Sequence, residues 1–368
     1  MALQSFFATC PRGLEEVLAR ELDACSARGT RPAGGGVHFE GDLATGYRAN
    51  LRSRIASRIL WRVADAAYAN DQDIYEAALA VPWSERFHVG RTIRVDVAAI
   101  RSPVKSLEFV TLRVKDAICD RFRADTGGRP DVDTRVPDVR VHAFLDARSV
   151  TFYLDTSGEP LWKRGGRVRT GEAPIRENLA AGILALTGWQ PGEPFLDPMC
   201  GSGTFLIEAA GIALGLAPGA RRPFGFEKLA GFDATLWRRL RDEARASELQ
   251  RAPMPIHGAD LAGVIQLKQA NVLELSPPAP AGMLVANPPY GVRLGEDEEL
   301  AAFYPRFGDA LKARFAGWRC YIFTGDASRF AKLVGLKASR RIPLFNGPLE
   351  CRLLEYRIVA GSMRGRQR

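Results

Sequence analysis

The C-terminal half of this chain is predicted to fold as an α/β domain on a largely parallel sheet, and three observations carry that expectation. Strand-like and helix-like segments alternate from residue 176 onward. The apolar strand end Phe195-Leu196-Asp197 runs through a glycine loop into an apolar helical stretch, 205–214. The buried run Met283-Leu284-Val285-Ala286 ends in the rigid turn Asn287-Pro288-Pro289-Tyr290, at a strand's C-terminal end where open parallel sheets bind ligands.

Residues 1–160 read differently, as α+β. A strand over 3–8 precedes a helix over 13–22 with apolar positions at helical spacing. A Gly34-Gly35-Gly36 turn leads to the strand 37–40, and 92–98 alternates cleanly as a further strand. A helix follows over 106–123, then strands 139–146 and 149–155 joined by a tight turn at Ala147-Arg148. Between the halves lies a glycine-containing linker crowded with Lys163, Arg164, Arg167 and Arg169. Arg52, Arg54, Arg58 and Arg62 fall near helical spacing and read as a basic helical face, solvated or RNA-facing. At the far end 340–345 and 350–359 flank Asn346-Gly347-Pro348, so a hairpin should add an antiparallel strand to the sheet.

At 368 residues the chain has room for two or three domains, and its 46% hydrophobic and 25% charged residues describe a globular protein. No apolar run approaches a membrane span and the start lacks a basic n-region, so the cytoplasm is the expected location. Six scattered cysteines, with no Cys-x-x-Cys, and four histidines indicate neither a disulfide framework nor a metal site. A net charge of +9 favours a polyanionic partner mildly; Arg outnumbers Lys 43 to 8, which suits bidentate phosphate contacts.

The chemistry is concentrated in two motifs. Asn287 Oδ1 and the Pro288 carbonyl are two acceptors able to hold an exocyclic amine, Pro289 stiffens the turn, and Tyr290 can stack on the ring that bears the amine. In Asp197-Pro198-Met199-Cys200-Gly201-Ser202-Gly203-Thr204, the glycines let backbone approach a ligand and the following helix offers free N–H groups. No Gly-Lys-Ser/Thr follows, so this is not a P-loop, and Asp197 suits a ligand carrying an ammonium and a sulfonium. Asp260, closing the next strand, should take ribose hydroxyls.

Together these motifs resemble the class I S-adenosylmethionine-dependent RNA methyltransferases that modify guanine N2 and carry a THUMP domain, above all the bacterial 23S ribosomal RNA branch. The likeness extends over Phe7-Ala8-Thr9-Cys10-Pro11-Arg12-Gly13, Ser102-Pro103-Val104-Lys105-Ser106, Ala173-Pro174-Ile175-Arg176-Glu177-Asn178 and Phe345-Asn346-Gly347-Pro348-Leu349-Glu350-Cys351. The resemblance implies a Rossmann-like methyltransferase sheet over 176–368, a ferredoxin-like domain over 1–65, a THUMP domain over 66–160 and a basic linker over 161–175. It implies S-adenosyl-L-methionine as cofactor, held by Asp197, Gly201, Ser202, Gly203, Thr204, Asp260 and Asn271, the last standing where the family usually has Asp. Structured RNA is the implied partner, met by Lys105, Lys163, Arg164, Arg167, Phe345 and Asn346. A tRNA guanine, a protein glutamine amide, and RNA binding without catalysis are the alternatives. A cytosine-C5 mechanism is disfavoured because the Asn-Pro-Pro-Tyr motif has no cysteine nucleophile.

One stretch conflicts with this architecture. Only Leu261-Ala262-Gly263-Val264 separates Asp260 from the next strand-like run, 265–270, too few residues for a parallel crossover. The resemblance places a helix there, so a segment is expected to be missing between Asp260 and Leu261, passed over by consecutive numbering or truly deleted.

Overall fold

A computed structural model describes residues 3–164, 175–249, 256–258, 265–266, 272–288 and 297–359. The chain divides into two compact units that do not follow chain order. The first comprises Met1–Cys10, Leu18–Gly165 and Pro218–Glu243; the second Pro11–Val17, Gly166–Ala217 and Ala244–Arg368.

The first unit is built on one seven-stranded sheet. In chain order its elements are β1 (Gln4–Thr9), α1 (Glu15–Ala24), β2 (Arg28–Ala33), β3 (Gly36–Gly41), α2 (Leu43–Arg52), β4 (Arg58–Ala67), α3 (Asp71–Ala80), β5 (Ile93–Ala99), α4 (Leu107–Thr126), β6 (Val139–Leu145) and β7 (Ser149–Asp155). The strand order is β2-β3-β1-β4-β7-β6-β5. Alternation explains why these segments are strands: β6 buries Val139, Val141, Ala143 and Leu145 on one face. Ser106 caps α4 by accepting the Phe109 N–H, and Gly127, left-handed at φ 75°, ends it.

The boundary expected at residue 65 falls inside β4, which pairs with β1 on one side and β7 on the other. The expected basic helical face over Arg52–Arg62 is corrected here. Arg52 is the last residue of α2, whereas Arg58 and Arg62 lie on β4. Their helical spacing was coincidental, because the Ile59-Leu60-Trp61 run finds its partners across the sheet, in β1 and β7, rather than along its own backbone.

The second unit contains α5 (Glu177–Thr187), β8 (Phe195–Leu196) and α6 (Thr204–Ala213). The chain then passes through α7 (Ala234–Ala246), which lies in the first unit as far as Glu243, and the second unit continues with β9 (Ile256–His257), β10 (Ile265–Gln266), β11 (Gly282–Ala286), α8 (Asp297–Arg314), β12 (Trp318–Thr324), α9 (Ala327–Leu333), β13 (Arg340–Asn346) and β14 (Leu349–Arg357). The sheet order is β10-β9-β8-β11-β12-β14-β13. Strands β10 to β12 run parallel, and the terminal hairpin adds β14 antiparallel to β12. The core beneath the sheet gathers Leu284, Tyr304, Phe307, Ile322, Phe330 and Tyr356. Strand β11 is buried at every position, as a strand covered on both faces must be.

The segment Pro11–Val17 belongs to this second unit although it precedes it by more than a hundred residues. Gly13 has φ +91°, and a Cβ there would stand 2.5 Å from the Pro343 carbonyl oxygen of β13. Leu14 fills the space beside Gly182 of α5, where a Cβ would be 2.3 Å from its Cδ1. Only glycine permits either approach.

Candidate active site at the strand ends

The two motifs, ninety residues apart in the chain, emerge from adjacent strands. β8 and β11 pair in parallel with Leu196 opposite Leu284, so Asp197 and Asn287 leave the same edge of the sheet. On the other side of β8 lies β9, with His257 opposite Leu196 and its carbonyl accepting the Asp197 N–H at 3.3 Å.

Asp197 is buried, at 3% exposure, and one of its oxygens accepts the Met199 N–H at 3.1 Å. Burial pushes its carboxyl up to about 7, against the small opposing effect of that bond. The loop beyond it turns twice into left-handed backbone, at Gly201 (φ +52°) and Gly203 (φ +72°), and the space a Cβ would take at Gly201 is open. Gly203 caps α6 without a side-chain bond, and a helix N-terminus favours an anionic group. Ser202 Oγ lies 3.2 Å from Thr204 Oγ1 beside it. A glycine cradle, a helix N-terminus and a buried carboxylate fit the carboxylate and the positive charge of S-adenosylmethionine.

Asn287 is half-buried and Pro288 buried. The Oδ1 of Asn287 is buried with no hydrogen-bond partner, an uncommon condition for a polar atom. Pro289, Tyr290, Asp260, Asn271 and Arg167 lie outside the described residues. So does the junction between Asp260 and Leu261. β9 and β10 nonetheless pair in parallel register with only residues 258–264 between them.

The expected RNA-contacting residues are scattered. Lys105 is exposed ahead of α4. Lys163 pairs with Glu159 at 2.7 Å, and Arg164 donates to the Arg54 carbonyl, so both are engaged within the first unit. Phe345 and Asn346 end β13, and the Arg12 guanidinium stands over the Phe345 ring at 5.9 Å. Sequence reading missed Arg12 as its partner and His257 as a neighbour of Asp197; burial lowers the His257 pKa, which keeps the ring neutral at pH 7. The only signal for His257 was its place at a strand end. Five of the six cysteines are buried and none forms a disulfide. Among the described residues no three His, Cys, Asp or Glu side chains gather as a metal site, and no helix is long and apolar enough to cross a membrane.

Comparison with known proteins places this geometry. A model of the RMKL-like methyltransferase domain matches residues 164–355, one of the RlmL ferredoxin-like domain matches 5–60, and one of the THUMP domain matches 68–155. The chain belongs to the RMKL-like methyltransferase family. Family members include the ribosomal RNA large subunit methyltransferase K/L of Aeromonas salmonicida, 40% identical over 398 residues, covering 98% of this chain and 55% of the relative. The chain thus spans about half the length of that relative. A Synechocystis protein described as "Putative RNA methyltransferase slr0064" is 38% identical, with 96% of each chain covered. The solved structure of "a putative methyltransferase complexed with SAH" superposes with a TM-score of 0.87 at 30% identity, over 97% of this chain and 99% of that one. The seven-stranded order and terminal hairpin are therefore those of a class I methyltransferase, and the family's cofactor is S-adenosylmethionine. The 398-residue alignment is longer than the 368-residue chain, so the Aeromonas relative carries residues inside the matched region that this chain lacks.

Proposed function

We propose that this chain methylates the exocyclic N2 of a guanine in RNA, with 23S ribosomal RNA as the substrate and the cytoplasm as the place of action. The observation that carries the reading is the buried, partnerless Oδ1 of Asn287, just past the end of β11, the strand paired with the one that Asp197 follows. When bound, S-adenosylmethionine supplies an electrophilic methyl group. Asn287 Oδ1 accepts one N–H of the target amine and the Pro288 carbonyl accepts the other, which aims the nitrogen lone pair out of conjugation. Tyr290 stacks on the base. Asp197, Gly201, Ser202, Gly203 and Thr204 hold the cofactor's methionine end, Asp260 its ribose and Asn271 its adenine. Alignment and electrostatics account for the rate, and the amine sheds its proton after the methyl has arrived, so no strong base is required.

Residues 1–160 and the basic linker capture structured RNA, with Lys105, Lys163, Arg164, Arg167, Phe345 and Asn346 as contacts. RNA affinity of the intact chain should then fall steeply with salt. We also infer that a crossover segment is missing between Asp260 and Leu261 of this sequence, in keeping with the longer alignment to the Aeromonas relative. A variant carrying the corresponding segment of that relative should bind S-adenosylmethionine more tightly than the parent; equal affinity would refute a role for the segment in cofactor binding.

The decisive test is Asn287→Ala. Methyl transfer should drop a hundredfold or more, about 3 kcal/mol, with cofactor affinity by calorimetry unchanged. Tyr290→Ala should do similar harm and Tyr290→Phe little. Full activity of Asn287→Ala with RNA saturating would overturn the amine-holding role. Mass spectrometry of ribosomal RNA and tRNA from cells with and without the protein identifies the substrate class: a methylguanine lost from tRNA alone would replace the ribosomal assignment.

A further inference from the structure

A second candidate site lies wholly within the first unit. A cavity of about 220 Å³ opens beside the start of β1, walled by the rings of Phe6, Tyr47, Trp61, Phe226 and Phe232. Alternation puts Gln4 on the same face of β1 as Phe6 and Ala8, the buried face, where an apolar residue would be expected. Its side chain lines the cavity, and its Oε1 is buried without a hydrogen-bond partner. Beside the cavity the Arg86 guanidinium stacks over the Trp61 ring at 5.0 Å. The Nε of Arg86 is likewise buried and unpartnered, while its carbonyl accepts the N–H of Ala230, another wall residue.

A buried acceptor without a donor destabilises a fold unless something supplies the donor. The lining is mostly apolar, but a lipid chain would leave Gln4 Oε1 unsatisfied. Its walls are largely aromatic, with a cation beside it. That combination matches an unstacked nucleobase: a π-face for the rings, an N–H edge for Gln4 Oε1, and a phosphate for the arginine.

We propose that this cavity is a nucleobase-binding pocket that captures one unstacked base of the structured RNA on which the protein acts, as a site of the first unit's own. The proposal rests on the RNA reading above for its biological ligand. The packing alternative makes the opposite prediction. If Gln4 is only an uncompensated polar residue, replacing it by leucine should stabilise the fold and leave RNA binding untouched.

The test uses the full chain with Gln4→Leu and, separately, Arg86→Leu, each checked for an unchanged circular dichroism spectrum. Adenosine 5′-monophosphate and guanosine 5′-monophosphate serve as probes in saturation-transfer NMR. The parent should show saturable binding, and both variants should lose it. With ribosomal RNA fragments, each variant should bind about five- to hundredfold more weakly, the range for losing one stacked and held base, while S-adenosylmethionine affinity stays at the parent value. Unchanged nucleotide binding in both variants, or unchanged RNA affinity, overturns the pocket. The nucleotide arm needs no methyl transfer, so its failure is distinguishable from failure of the methylation reading, which only the transfer assay reports.

Discussion

Two buried aspartates, one in each unit, differ in how far the protein itself satisfies them. Asp155 ends β7 at 2% exposure, and burial alone would raise its pKa. His142 beside it at 3.7 Å, the Arg58 guanidinium in contact with it, and the N–H groups of Ser157 at 2.8 Å and Gly158 at 3.2 Å outweigh that effect and hold the carboxyl below its usual range. The carbonyls that follow are tied down as well, by Arg58 on Gly158 and by Arg222 on Pro160, at 2.6 and 2.7 Å. Asp197 is equally buried; among the described residues it has one N–H donor and no cation acting on it, and its pKa rises to about 7. A buried charge that the protein has already neutralised serves the fold; one without a cation beside it is a candidate for a ligand site.

The comparison can be broken most forcefully at Asp155. Arg58→Met leaves a buried carboxylate without its cation and should destabilise the first unit by about 3–5 kcal/mol, read as an earlier urea transition, with S-adenosylmethionine affinity unchanged. An unaltered transition would mean that the two N–H donors suffice and that the ion pair is not what makes Asp155 structural.

At Asp197 the expected loss is one of binding. Asp197→Asn keeps the shape, removes the charge, and should weaken S-adenosylmethionine by about 1.5–3 kcal/mol, or roughly ten- to hundredfold. The sign of the pH dependence follows from the raised pKa. The folded protein holds the Asp197 proton more tightly than the unfolded chain does, so this group's ionisation lowers stability as pH climbs from about 4 to about 7. The asparagine variant should therefore gain stability relative to the parent as pH is raised through that window. Binding of a cationic ligand favours the ionised form, so cofactor binding below pH 7 should release a proton, measurable by calorimetry in two buffers of different ionisation enthalpy. Zero proton release would place the ligand's charge away from Asp197.

The smallest effect concerns the boundary of the second unit. Gly13→Ala meets both a positive φ and the Pro343 carbonyl, and should destabilise that unit by about 1–3 kcal/mol. By the same argument a fragment beginning at residue 161 lacks Pro11–Val17 and should melt below the catalytic unit of the intact chain. Equal melting would show that the early segment rests on the unit without supporting it.

Much of the fold was legible because it is encoded locally. The alternation of β6, the cap at Ser106, the glycine loop before α6 and the turn at Asn346-Gly347 each follow from the conformational preferences of a few consecutive residues. β4 was misread for the opposite reason: its character comes from pairing with strands on both sides, and spacing of arginines on one segment cannot report that. The inward facing of Gln4 was not legible either, because β3 and β4 fix which face of β1 is inside.

The sequence by itself determined the two motifs, their order and the residue types able to hold an amine and a sulfonium, since those depend on chemistry carried by neighbours in the chain. Only the tertiary structure decided that Asp197 and Asn287 leave adjacent strands, because β8 and β11 are brought together by hydrogen bonds between segments ninety residues apart. It alone decided that Pro11–Val17 completes the second unit, through close approaches that glycine permits at Gly13 and Gly182. It likewise decided which buried polar atoms have partners. A side chain's type states what it can donate or accept, but satisfaction is a property of everything that packs around it.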